Sequence, residues 1–278
     1  MSGLRLFWRR FRRNRAAVAG LVVLLLVVAA AIFGPMLHPL DPFDMVGRPT
    51  QPPSARFLLG TDVSGRDILA GLLHGARVSL VVGIVASLAA TAVGLLVGAV
   101  AGYYGGAVDN VLMRATDFFL TIPSFVLAIV IVAIFQPSIV TVTLAIAAVS
   151  WPSVARLVRG EFIAQRDRDY VRACRALGMA NWEIIVRQIL PNALPPVIVV
   201  SSLMVATAIL TESGLSFLGL SDPDVVSWGY QIGVGRTVLR VAWWMSAIPG
   251  VTILVTVLAI NLVGEGLNDA LNPRIQRR

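Results

Sequence analysis

The chain has 278 residues, of which 57% are apolar and only 14% charged, and its mean hydropathy is +0.81. Soluble domains are about 45–50% apolar and about 25% charged, so this composition excludes a water-soluble fold and points to a polytopic membrane protein. A single cysteine, Cys174, excludes a disulfide scaffold; all 23 basic residues are arginine, and a chain without lysine has neither a Walker A phosphate loop nor a Schiff-base amine.

Residues 1–15 form an arginine-rich segment with Arg5, Arg9, Arg10, Arg12, Arg13 and Arg15. Six apolar runs follow: Ala16–Leu37, Val78–Gly102, Phe118–Phe135, Ser138–Ala155, Asn192–Thr211 and Ser246–Gly264. Each approaches or exceeds the roughly 17–25 residues that cross a hydrocarbon core about 30 Å thick. None carries arginine, aspartate or glutamate, as expected where a charge at a helix centre costs about 2.5–3.5 kcal/mol. The first run contains Ala29-Ala30-Ala31 behind a basic segment like a secretion signal, but it exceeds the usual apolar length of about 7–15 residues, so it reads as an uncleaved helix. In the second, Ala86, Ala90, Gly94, Gly98 and Gly102 recur every four residues. That is either a close-packing stripe or the general abundance of small residues in membrane helices. Only Gln136-Pro137-Ser138 separates the third and fourth runs, which predicts a tight hairpin.

With the N-terminus in the cytoplasm, 17 of the 23 arginines fall on that side, in segment 1–15, at Arg114, in the loop after the fourth run and at Arg274, Arg277 and Arg278. The positive-inside rule therefore predicts both termini cytoplasmic, and it explains the high pI without nucleic-acid binding. The implied organisation is a first span at 16–37, an extracytoplasmic loop at 38–77 and a core at 78–268 holding five further spans. Within the core lie a cytoplasmic loop at 156–190 and an extracytoplasmic loop at 212–245; residues 269–278 form a cytoplasmic tail.

The 156–190 loop is patterned like structure. Asp167 and Asp169 stand at cap positions before a short helix, Gly178 ends it, and Asn181 is placed to cap a second helix running to Pro191. Tyr170, Ala173, Cys174 and Leu177 share one face, with Arg172 and Arg175 beside it. Such a small, alanine-rich face suits a groove on another protein; a headgroup-bound helix or a solvated loop are the alternatives.

Ala173-Cys174, three residues, Gly178, nine residues and Gln188-Ile189-Leu190-Pro191 resemble the EAA loop of ABC importer permeases (Glu-Ala-Ala, three residues, Gly, nine residues, Ile-x-Leu-Pro). The flanking blocks Leu59-Gly60-Thr61-Asp62, Gly102-Tyr103-Tyr104-Gly105-Gly106, Leu215-Ser216-Phe217-Leu218-Gly219-Leu220 and Ala270-Leu271-Asn272-Pro273 are similar to permeases of dipeptide, oligopeptide and nickel importers, specifically the C-type subunit. Arg172 replaces the motif's glutamate and Cys174 its second alanine.

The resemblance implies an all-α protein of six transmembrane helices with the type I (MetI-like) permease fold, in the bacterial cytoplasmic (inner) membrane. It implies a non-catalytic subunit that moves di- or oligopeptides by alternating access, binding no cofactor itself. Its partners would be a second homologous permease subunit, two cytoplasmic ABC ATPase subunits that bind ATP and Mg, and an extracytoplasmic solute-binding protein. Tyr170, Arg172, Ala173, Cys174, Ala176, Leu177 and Gly178 would form the coupling helix that docks on the ATPase, supported by Asn181, Leu190 and Pro191. Dipeptide, longer-peptide, glutathione-like, opine and nickel systems share this scaffold.

The pathway is less legible. Glu212, at the outer end of the fifth run, either meets a peptide ammonium group or is a satisfied helix-end charge. Thr141, Thr143, Ser150, Thr207 and Asn261 suit substrate or helix contacts equally. Pro223 and Trp228 read as a shaped extracytoplasmic loop, and Trp243-Trp244 as receptor residues or interfacial anchors. His38 and His74 are isolated, so no metal site is expected. A self-sufficient secondary transporter or channel is the competing reading; it calls for ionisable residues inside the spans and leaves the patterned loop without a role.

Overall fold

In lipid every backbone N–H and C=O must be satisfied within its own segment, so apolar runs of this length fold as helices. A computed structural model describes residues 3–271 and shows the order α1 (Gly3–Arg13), α2 (Arg15–Leu37), α3 (Ile68–Tyr104), α4 (Gly106–Thr121), α5 (Ser124–Phe135), α6 (Ile139–Arg166), α7 (Asp169–Ala176), α8 (Asn181–Glu183), α9 (Leu190–Phe217), α10 (Trp228–Gly235) and α11 (Trp244–Leu271). The expected tail arginines Arg274, Arg277 and Arg278 lie outside the described residues.

Among the described residues five helices are long and apolar enough to cross a membrane, or six if α4 and α5 count as one bent span. The expected third run is not one straight helix. Its first residues belong to α4, and the axis turns by 85° before α5. Pro123 lacks an N–H and drives Ile122 into extended backbone (φ −93°, ψ 130°), which stops α4 there. Ion pairs hold α4 against α6: Arg159 grips Asp109 with two bonds of 2.5 and 2.6 Å, and Arg156 donates to Asp117 at 2.6 Å. At twelve residues α5 spans only about 18 Å.

The centre of the bundle is the seam between α3 and α6. All five small residues of the α3 stripe are buried. A Cβ added at Gly94, Gly98 or Gly102 would lie 2.5–2.7 Å from a Cβ or carbonyl oxygen of Val154, Ala155, Val158 or Phe162. The stripe is thus a true contact face, where small residues let two backbones meet in a medium that supplies no hydrophobic drive. Nearer the start of α3, Gly83 receives Ile209 of α9 and Gly75 receives Trp228 of α10.

Three expectations about the loops change. Asp67 caps α3 by accepting from Ala70 N–H at 2.8 Å, so this helix begins ten residues before Val78. The 212–245 segment is more helical than expected: α9 continues to Phe217, and α10 follows the turn at Gly219 (φ +84°). Trp228, read as a loop residue, is fully buried and donates its indole N–H to Leu72 C=O at 3.0 Å, while Trp243 stays exposed.

Candidate functional site

The sequence-patterned helix appears as α7, with a different cap and a different inner face. Asp167 instead ends α6, Asp169 is already helical, and the residue preceding α7 is Arg168, without a side-chain cap bond. The C-terminal end follows expectation. Gly178 has φ +75° and donates to Arg175 C=O at 3.0 Å, while Met179 N–H reaches Cys174 C=O at 3.1 Å. These two bonds close the helix in a Schellman arrangement, for which a left-handed glycine is suited.

Val171 is wholly buried, and Tyr170, Cys174 and Met179 pack against the same apolar cluster, which also contains Tyr103, Val158, Phe162, Ile184 and Ile189. The predicted face is therefore split. Tyr170 and Cys174 turn inward, whereas Arg172, Ala173, Ala176, Leu177 and Gly178 are exposed, Leu177 to 82%. Leu177 thus stands in the open on a helix whose other side is fixed to the bundle.

Asn181 does not cap the second helix. It is the first residue of α8, and its side-chain oxygen accepts from Tyr103 O–H at 2.7 Å. Arg175 lies over the Tyr103 ring at 5.4 Å, and Arg166 donates to Gly102 C=O at 3.1 Å. The end of α3 thus anchors the α7 loop from two sides; Tyr103 was visible in the sequence only as part of the Gly102–Gly106 block. Helix and span are also continuous beyond α8. Residues Ile184–Ile189 form a π turn in which Leu190 N–H reaches Ile185 C=O, so Pro191, which has no N–H to give, fits without a break. Leu190 and Pro191 therefore join the loop rigidly to α9.

Glu212 lies within α9 and is 3% exposed. Ser216 donates to its carboxylate at 2.7 Å, Ser79 of α3 at 3.2 Å and Ser213 at 3.4 Å, and Ser227 donates onward to Ser216. The adjoining cavity is about 20 Å³, room for one water. This geometry favours the satisfied internal charge over the pathway contact: Glu212 ties α3, α9 and the α10 approach together. Glu212→Leu is expected to leave hydroxyls without their acceptor and to cost about 1–3 kcal/mol in thermal unfolding of the detergent-solubilised protein. Glu212→Gln, which keeps an acceptor, is expected to retain most of that stability.

Two open clefts lie on the α6–α9 face. One, about 370 Å³, is lined by Ser124, Ser150, Ser153, Thr207 and Thr211 among apolar neighbours, uniting the expected Ser150 and Thr207. The other, about 600 Å³, lies toward α7 and is lined by Glu161, Gln165, Arg168, Asn192 and Asn268. Thr141 and Thr143 are absent from both: Thr141 pairs with Ser138 and Thr143 bonds back to Ile139 C=O. Asn261 is exposed on α11. The pairs Ser150/Ser153 and Thr207/Thr211 carried a helical spacing signal that sequence reading did not use.

Comparison with known proteins accords with this arrangement. Residues 94–277 match the family described as binding-protein-dependent transport system inner membrane component, and residues 2–58 match the N-terminal TM domain of oligopeptide transport permease C. The chain is 41% identical to a di/tripeptide transport system permease protein, DppC, of Pseudomonas aeruginosa, covering 99% of this chain and 93% of that one. It is 38% identical to the glutathione transport system permease protein GsiD of Pectobacterium atrosepticum, over 97% and 91%. Among solved structures, an inward-facing MetNI methionine ABC transporter chain superposes with a TM-score of 0.61 at 17% identity, covering 73% of this chain and 96% of that one, a likeness of fold.

Proposed function

The chain belongs to the family of binding-protein-dependent transport system inner membrane components, and we propose that it carries di- or oligopeptides across the inner membrane as one permease of a heterodimer. In this reading both termini and α7 face the cytoplasm. A second permease completes the path, two ABC ATPase subunits bind ATP and Mg, and an extracytoplasmic protein delivers the peptide. The observation that carries the proposal is the exposed face of α7, Ala173, Ala176, Leu177 and Gly178, fixed from behind to the ends of α3, α6 and α9. A helix mounted so converts a push on its tip into rigid-body motion of the spans, the kind of movement that alternating access needs. Relatives named for di/tripeptide and dipeptide transport at 41% and 38% identity support peptides as the cargo.

The test is reconstitution. Purified alone, the chain is expected to hydrolyse no ATP. In proteoliposomes with the second permease and the ATPases, adding peptide-loaded binding protein is expected to stimulate hydrolysis and peptide uptake. Turnover by the isolated chain, or an assembly that transports no peptide, contradicts the proposal.

A further inference from the structure

The two clefts on the α6–α9 face follow one another along the same pair of helices. Ser150, Ser153, Thr207 and Thr211 border the first, Glu161, Gln165 and Asn192 the second, and consecutive residues Val199 and Val200 line one each. From Asn192 to Thr211 the helix rises about 28 Å, close to the thickness of a hydrocarbon core. Taken together as one trough, the two clefts line a stretch of helix about as long as the membrane is thick.

Its two parts differ in chemistry. Among the described residues the hydroxyl-lined part contains no ionisable side chain. Thr207 and Thr211 donate their hydroxyl hydrogens to Met204 and Thr207 C=O, at 2.9 and 2.8 Å, leaving oxygen lone pairs as acceptors. Such a surface exchanges hydrogen bonds with amides and offers neither end of a zwitterion a fixed charge to stop at. The wider part carries both charges. Glu161 has no ion-pair partner among the described residues, and Arg168 makes one long bond, from Nε to Ala164 C=O at 3.5 Å. Glu161 lies on α6 and Arg168 in the link between α6 and α7, and both line this same cleft.

We infer that this trough is the chain's share of the transport path, and that Glu161 and Arg168 form a receiving site for the ammonium and carboxylate ends of a two- or three-residue peptide. The inference rests on the peptide-importer reading and adds to it the residues that hold the cargo. The guanidinium of Arg168 offers paired N–H donors suited to a terminal carboxylate, Glu161 accepts from the ammonium group, and Gln165, Asn192 and Asn268 are placed for the amides between. About 600 Å³ accommodates such a peptide with some of its water. A peptide leaving the hydroxyl-lined part is captured by opposite charges at the α7 end, which opposes its return.

Uptake of an unmodified tripeptide and ATP hydrolysis are measured together in proteoliposomes of the complete transporter. Glu161→Gln and Arg168→Gln are each expected to lower peptides moved per ATP about tenfold, a charged hydrogen bond's worth. Because the readout is the ratio of uptake to hydrolysis, a change confined to ATPase coupling leaves it unmoved, and Glu161→Asp is expected to recover at least half of the loss. An unchanged ratio, or uptake and hydrolysis falling in parallel, overturns the site. A wild-type assembly that imports no peptide instead defeats the functional reading beneath it.

Discussion

Ala173→Asp is expected to bring binding-protein-stimulated ATP hydrolysis in the reconstituted transporter down to its unstimulated rate, with no loss of membrane insertion or thermal stability. Ala173 is exposed on α7 and lies on the opposite side from Val171, which anchors the helix. An aspartate there is solvated in the free chain, so the bundle pays nothing. In an apolar groove of an ATPase subunit the same carboxylate is desolvated without a partner, a loss of several kcal/mol that exceeds a typical interface hot spot. Leu177→Glu is expected to behave likewise. Gly178→Trp is a poorer test, since φ +75° strains any side chain at that position and confuses docking with the helix end. Stimulated hydrolysis that survives both Ala173→Asp and Leu177→Glu rules out docking through this face.

Much of this was legible from the chain alone, because the signals are local. Length and apolarity give the spans, a four-residue interval gives the α3 face, and Gly178 gives the end of α7. The motif spacing located the loop that the structure presents at one end of the bundle. What stayed hidden depended on distant partners. Nothing near Asn181 announces Tyr103, 78 residues away, as the hydroxyl that takes its side chain from capping. Likewise Trp228 looks like a loop aromatic until Gly75 of α3 offers it a slot and Leu72 an acceptor. Val171 was passed over in favour of Ala173 and Leu177, because periodicity gives a face without saying whether the protein or a partner covers it. Glu212 is the same lesson in polar form. Its environment is assembled by serines from α3, α9 and the turn before α10, so the residue's position along the fifth run could not distinguish a pore charge from an internal tie.

The same dependence on a distant partner makes the α3 glycines diagnostic by position. Gly94→Ala and Gly102→Ala each place a methyl group 2.5–2.6 Å from a Cβ of α6, that of Val154 and Phe162 respectively, and 2.8 Å from a backbone oxygen. Because backbone is among the obstacles, rotamer change alone does not relieve either, and the helices must part locally. Each is expected to lose about 1–3 kcal/mol in thermal unfolding in detergent, and Gly98→Leu, with Ala155 C=O and Val158 Cβ at 2.5 and 2.7 Å from its first carbon, is expected to prevent the folded protein from accumulating. Function should divide the two alanine variants. Gly94 lies about two and a half helical turns from Tyr103, and its variant is expected to keep binding-protein-stimulated hydrolysis at temperatures where it is folded. Gly102 adjoins Tyr103, accepts from Arg166 and packs on Phe162, the residues that brace α7. Moving it displaces the base of α7, so Gly102→Ala is expected to lose most of its stimulated hydrolysis while still folded. Equal hydrolysis in the two variants would show that α7 takes its position from α9 alone, through the π turn and Pro191, with the α3–α6 seam serving only to hold the bundle closed.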